Sequence, residues 1–100
     1  MKSFAWNEEK NQLLKAERGI SFEEVVAVLY SGAVLDILEH PNRERYPSQR
    51  IFVVQMRAYA WLVPFVEDDQ AIFLKTIIPS RKATRQYLGG QGGEEDESKP

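Results

Sequence analysis

The sequence contains no cysteine, and histidine occurs only once, at His40. A disulfide framework, a cysteine-based zinc site and a cysteine nucleophile are therefore excluded, and a histidine-rich metal site is not expected. Hydrophobic runs are short: none approaches the roughly 20 residues of a membrane-spanning helix. No segment has the pattern of a signal peptide. We therefore expect a cytoplasmic protein without a membrane segment.

Charge is unevenly distributed along the chain, although the net charge is only -2. Residues 1–42 carry four basic and seven acidic side chains, whereas residues 43–88 carry eight basic and four acidic ones. The basic half favours an anionic ligand. Residues 89–100 are rich in glycine and carry four acids and one base. Because this tail has no apolar side chain to bury, we expect it to be disordered and the folded domain to span 1–88.

Two helices are predicted near the N-terminus. Asn7 is a good N-cap, and the first helix should cover 8–18. Ser21 and Glu24 form a capping box that starts the second helix, which closes at 31–32. Both signals depend on side chains that satisfy free backbone N–H groups at a helix start.

Four strands follow, predicted over 34–38, 50–56, 59–66 and 71–78. The strand 50–56 is apolar enough to be buried on both faces. Pro64 indicates an edge position or a bulge. Short connections favour a four-stranded antiparallel meander with the helices on one face, extended by residues 4–6. The fold class is therefore α+β, with two N-terminal helices and one C-terminal helix.

The last helix, predicted over 80–88, is basic. Ser80 can cap it, and Arg81 and Arg85 lie four residues apart, on one helix face. Two guanidinium groups on a rigid element suit a phosphodiester, because their forked donors match phosphate oxygens. The alternative is an ordinary solvated helix face.

Four segments in order carry a family resemblance. They are the opening Phe4-Ala5-Trp6-Asn7, the stretch 15–24 (KAERGISFEE), the step Arg43-Glu44-Arg45-Tyr46, and the closing Arg81-Lys82-Ala83-Thr84. Together they resemble the BrnT-type toxins of bacterial type II toxin–antitoxin systems, over residues 4–88. The chain departs from that family at Arg18, where the family has a histidine, and at 79–80, where it often has Ser-Ala.

The resemblance implies a RelE-like fold and metal-independent endoribonuclease activity without a cofactor. It also implies neutralisation by a ribbon-helix-helix (BrnA-like) antitoxin, in a complex with two toxin copies that contacts DNA only through the antitoxin. Because Arg18 replaces a natural proton-transfer residue, a second hypothesis stands beside the first. It is a non-catalytic, degenerate toxin-like module that binds an antitoxin and supports operator binding.

Metal-free RNA cleavage needs a proton acceptor for the 2′-hydroxyl, cationic stabilisation of the phosphate and a proton for the leaving 5′-oxygen. The resemblance and the basic residues together give two sets of candidates. The catalytic set is Lys75, Arg81 and Arg45, and the RNA-binding set is Arg85, Lys82, Arg18 and Tyr46. The general base stays open among Glu44, Glu39 and Asp36.

Each candidate also has a plain structural interpretation. Lys75 shares a predicted strand face with Phe73 and Ile77, where burial would favour its neutral form, but it could equally be an edge-strand lysine. Arg45 and Tyr46 read as a phosphate clamp beside a stacking ring, or as a loop arginine beside a packing aromatic.

Two further residues have interpretations that compete with a role at the site. Arg18 suits the negative end of a helix dipole, whether or not it contacts RNA. His40, ahead of a proline in a loop, is expected to be a surface histidine.

Overall fold

The computed structural model describes residues 2–89. The helices are α1 Glu8–Arg18, α2 Phe22–Ser31 and α3 Arg81–Leu88. The strands are β1 Ser3–Trp6, β2 Val34–Glu39, β3 Gln49–Met56, β4 Tyr59–Glu67, β5 Ala71–Leu74 and β6 Ile78–Pro79. The α+β class, with two N-terminal helices and one C-terminal helix, is confirmed. Of the predicted tail, only Gly89 lies within the described residues.

Side chains cap both N-terminal helices as the sequence predicts. The Oδ1 atom of Asn7 accepts a hydrogen bond from the Lys10 amide at 2.8 Å. The Oγ atom of Ser21 accepts one from the Glu24 amide at 3.1 Å. Gly19 ends α1 with a φ of 69°, a left-handed conformation that glycine adopts without a steric penalty. These bonds satisfy backbone donors that the helices leave free, and so fix where each helix starts and ends.

The strands form one mixed sheet in the order β1-β5-β4-β3-β2, and β6 also pairs with β4. Neighbours from β2 to β5 are antiparallel, whereas β1 lies parallel to β5 at the edge. The predicted extension by residues 4–6 is therefore present as a parallel strand. Strands β3 and β4 join through Arg57 and Ala58, whose φ angles of 57° and 60° match a tight hairpin turn of mirror-image type.

Helices cover both faces of the sheet, which corrects the prediction that they pack on one. On the first face, Phe52 and Val54 of β3 pack with the buried side chains of α1 and α2. On the second face, Val53 packs with Ala83 and Tyr87 of α3. Successive strand side chains point to opposite faces, and all three β3 residues are buried. A strand that is apolar on both faces needs cover on both, which is why α3 returns to the far side.

The strand predicted over 71–78 is interrupted, which is a second correction. Its pairing with β4 stops at Leu74, opposite Phe65, and resumes at Ile78, opposite Leu62. Two residues of β4 lie between the paired positions, whereas three lie between Leu74 and Ile78. The register therefore shifts by one residue, which is a β-bulge.

Pro64 lies opposite this bulge and accounts for it. Its carbonyl accepts a hydrogen bond from the Lys75 amide at 2.8 Å. In a strand, the N–H and C=O groups of one residue point to the same side, so the N–H that proline lacks is missing from this side. The regular pattern of backbone hydrogen bonds between β4 and the chain that follows Leu74 cannot continue at Pro64. Of the two predicted roles of Pro64, the structure supports the bulge, and places it within a central strand.

The bulge redirects the side chains that follow it. Leu74 and Ile77 are both fully buried in the core beneath α1 and α2, although they are three residues apart. Strict alternation would have placed them on opposite faces. The extra residue lets both enter one core, while Lys75 between them is exposed.

A buried amide joins the two N-terminal helices. The side chain of Asn11 is fully buried. Its Oδ1 atom accepts from the Phe22 amide at 2.8 Å, and its Nδ2 group donates to Glu23 Oε1 at 2.8 Å. One side chain of α1 thereby satisfies a free backbone donor at the start of α2.

Replacing Asn11 by alanine should lower the free energy of unfolding by about 1–3 kcal/mol, because it leaves the Phe22 amide buried without a partner. Urea denaturation followed by circular dichroism would measure the change. The matched control is Gln12→Ala, in which the side chain lost is exposed. Equal stability of the two variants would show that the buried amide does not hold the helices together.

Candidate functional site

A groove of about 300 Å³ lies at the bulge, near several of the predicted residues. Its walls include Ile51 and Pro64 from the paired strands β3 and β4. His40, from the end of β2, stands on one side, and Lys75 and Thr76 of the bulge stand on the other. The groove thus joins the β2–β3 loop to the break between β5 and β6.

Lys75 is exposed, as one of its two interpretations expected, and it does not share the buried position of Ile77. Because of the bulge, Ile77 enters the core, whereas Lys75 lines the groove. Lys75 also borders a second hollow of about 530 Å³, whose other lining residues come from the α1 region: Asn7, Glu9, Lys10 and Leu13. The lysine therefore stands between two surface hollows, in a backbone position fixed by the amide bond to Pro64.

The β2–β3 loop brings three side chains into contact beside the groove. The ring of Tyr46 lies against the ring of His40, with centroids 4.5 Å apart. The guanidinium of Arg45 lies 5.6 Å from the centre of the Tyr46 ring, within the range of a cation–π contact. Asn42 orders the turn by accepting a hydrogen bond from the Arg45 amide at 3.2 Å. The structure therefore connects Arg45 and Tyr46 to the groove through His40.

His40 is the residue whose place in the site the sequence did not reveal. It was expected to be a surface histidine, and it is a half-buried one that lines the groove. Its Nδ1 atom accepts a hydrogen bond from the Asn42 amide at 2.9 Å. The sequence shows that His40 is the single histidine and that it lies where β2 passes into the loop. It does not show which strands lie across the groove from His40.

Arg50 lies in the groove wall but is engaged elsewhere. Its guanidinium donates to Glu67 at 2.7 Å, and Lys2 donates to the same carboxylate at 2.5 Å. The bonds from Lys2 and then Arg50 lower the pKa of Glu67 below its usual value. Because Arg50 is bound in this way, Lys75 is the groove cation best placed to meet a ligand.

Arg18 lies beside the bulge and not among the groove residues. Its Nη1 group donates to the Ile77 carbonyl at 3.2 Å. A bulge leaves backbone groups without ladder partners, and this bond satisfies one of them. The structure thus gives Arg18 a bracing role two residues from Lys75.

The cations of α3 form a separate group. Arg81, Lys82 and Arg85 are exposed, and none forms an ion pair with a carboxylate of residues 2–89. None of them lines the groove. The helix itself is well anchored: Ser80 caps it at the Ala83 amide. The predicted residues therefore fall into a groove set with Lys75, a helix set on α3, and Arg18 as a brace.

The described residues offer neither a metal-binding cluster nor a membrane-spanning helix. Within residues 2–89, no three histidine, aspartate or glutamate side chains are placed so that they could hold a metal ion. In the same range, no helix combines the length and apolar character needed to cross a membrane.

Comparisons with protein-family models, curated proteins and solved structures found no match to this chain. The resemblance to BrnT-type toxins therefore stays a prediction based on the four sequence segments. The site has to be interpreted from its own geometry.

A side-chain bond ties the far end of α3 to β2. The Tyr87 hydroxyl donates to Asp36 Oδ2 at 2.5 Å. This bond lowers the pKa of Asp36 and raises that of Tyr87. A carboxylate with a lowered pKa loses its stabilising contribution as the pH falls through its folded value, and a phenol with a raised pKa loses it as the pH rises through its folded value.

Tyr87→Phe should therefore destabilise the protein most between the ordinary Asp and Tyr values of 3.8 and 10.0. The difference from wild type should shrink at the acid and alkaline ends. Denaturant unfolding at a series of pH values measures it. Tyr30→Phe, at an exposed tyrosine, is the matched control. A pH-independent difference would show that the Asp36 bond is not responsible.

Proposed function

We propose that the protein is a metal-independent endoribonuclease toxin with a RelE-like fold, neutralised by a ribbon-helix-helix antitoxin. The observation that carries this proposal is the groove at the bulge. There, Lys75 stands on one wall and His40 on the other, and Tyr46 packs against His40 and carries the Arg45 guanidinium over its ring. Cationic, hydrogen-bonding and stacking groups on a sheet scaffold suit a phosphodiester and an adjacent base.

The hollows on either side of Lys75 support single-stranded RNA as the substrate. A phosphate beside the lysine would leave room for one flanking nucleotide in the groove and another in the hollow near Leu13. Bases must be unstacked from a duplex to enter such hollows. In this arrangement Lys75 stabilises the negative charge that builds on the phosphate when the 2′-hydroxyl attacks it. Arg45 supplies a second cation, and Arg81, Lys82 and Arg85 bind the strand further along.

The degenerate, non-catalytic module is the second candidate, and one contact favours it. Arg18 occupies the family's histidine position and donates to the Ile77 carbonyl. A guanidinium used in this way braces the backbone and is too basic to transfer a proton near neutral pH. On this alternative the chain keeps the antitoxin surface and supports operator binding without cleaving RNA.

Lys75→Ala and Arg81→Ala should each relieve growth arrest on induced expression by at least tenfold in colony count, while the protein stays folded. Mapping of new RNA 5′ ends in induced cells separates cleavage from other causes of arrest. Lys15→Ala, which removes an exposed lysine of α1 outside the groove, is the matched control. If growth arrest is unchanged in the two variants, Lys75 and Arg81 have no part in the mechanism. If wild type arrests growth without producing new RNA 5′ ends, the toxin acts on a target other than RNA.

Co-expression with a ribbon-helix-helix protein from the neighbouring gene should give a stable complex with two copies of this chain, because that fold dimerises to bind DNA. Charge attraction would speed encounter, and exposed apolar side chains such as Leu13 and Tyr30 would slow release. Light scattering measures the mass. Separate elution of the two proteins would contradict the complex. Truncation after Leu88 should leave the complex unchanged, since the acidic tail is expected to take no part.

A further inference from the structure

The hydrogen-bonding state of His40 is fixed by its backbone neighbour. A backbone N–H can only donate, so the Nδ1 atom of His40, 2.9 Å from the Asn42 nitrogen, must accept. In the neutral ring the proton is then on Nε2. Protonation of Nδ1 would set two N–H donors against each other and break this bond.

We propose that His40 binds the RNA as a neutral hydrogen-bond donor, with its Nε2–H directed to a non-bridging phosphate oxygen in the groove, and that it does not act as a proton shuttle. This inference rests on the proposed function, since it assigns a role within the same groove. It differs from the ordinary expectation for a single histidine in a nuclease, which is general acid or base catalysis.

The chemistry of the ring supports a donor role. With Nε2 already protonated, this nitrogen cannot accept the proton of the 2′-hydroxyl. Loss of that proton from a neutral ring would leave an imidazolate anion, so the ring is also a poor general acid. A hydrogen bond to an anionic oxygen uses the proton without transferring it.

Several cationic side chains lie in or near the groove that His40 lines. Lys75 and Arg50 line the same groove, and Arg45 lies over the Tyr46 ring that stacks on His40. These cations attract the phosphate to which the Nε2–H would donate. No carboxylate is among the described residues that line the groove, and Arg50 is bonded to Glu67 outside it. The Tyr46 ring packs against His40 at an interplanar angle of 40°, with ring centroids 4.5 Å apart.

Three substitutions of His40 distinguish the contribution of its N–H donor from that of its aromatic ring and from that of its ability to take up a proton. His40→Gln keeps an N–H donor near the Nε2 position but does not titrate. His40→Phe keeps a ring that can stack on Tyr46 but has no donor, and His40→Ala removes both. Binding to a short single-stranded 2′-O-methyl RNA, which cannot be cleaved through the 2′-oxygen, is measured by fluorescence anisotropy. We expect about tenfold weaker binding for the Phe and Ala variants and less than about threefold for Gln, as for one hydrogen bond to a charged group.

Each outcome decides between the hypotheses. If wild type does not bind the oligonucleotide, the proposed function and this inference both fail. If wild type binds and all three variants match it, His40 has no role and the proposed function stands. If His40→Gln weakens binding as much as His40→Phe does, the donor role of His40 is wrong. With cleavable RNA, His40→Gln should retain the wild-type pH profile of cleavage, and loss of one limb of that profile would identify a proton shuttle instead.

Discussion

The N–H that Pro64 lacks is the constraint on which the site depends. Where the ladder between β4 and β5 would continue, proline offers a carbonyl but no donor, and the following chain takes an extra residue. Leu74 and Ile77 therefore both enter the core, and Lys75 turns outward between them. A regular strand would have placed Ile77 on the face opposite Leu74, beside Lys75 and outside the core.

The remaining contacts hold this irregularity in place. Arg18 satisfies the Ile77 carbonyl, and Asn11 fastens the helix that carries Arg18 to the start of α2. On the far side, α3 is fixed at one end by its Ser80 cap and at the other by Tyr87. Helices are thus held on both faces of the sheet, and Arg18 supports the bulge itself. Such support is what a preorganised binding site needs, because a mobile wall would have to be ordered when the ligand binds.

Much of the fold was predictable because its signals are local. Asn7 and Ser21 cap the helices that they were expected to cap, and the apolar run of β3 correctly indicated burial on both faces. Burial of both faces of β3 implied that helices cover both faces of the sheet, whereas the short connections suggested that the helices pack on one face only. Connection length limits which strands are neighbours and does not say on which side a terminal helix returns. The site was harder to predict, since Lys75 was assigned to a buried face by alternation that the bulge interrupts.

The sequence by itself determined the helix boundaries, the strand order along the chain and the position of the proline, because these depend on side chains acting on their own or adjacent backbone. Only the tertiary structure decided the pairing register at the bulge, the approach of His40 to Lys75 and the bond from Arg18 to Ile77. Each of these joins residues far apart in the chain. Their contact is set by a one-residue shift in strand pairing, which no periodicity within a single segment encodes.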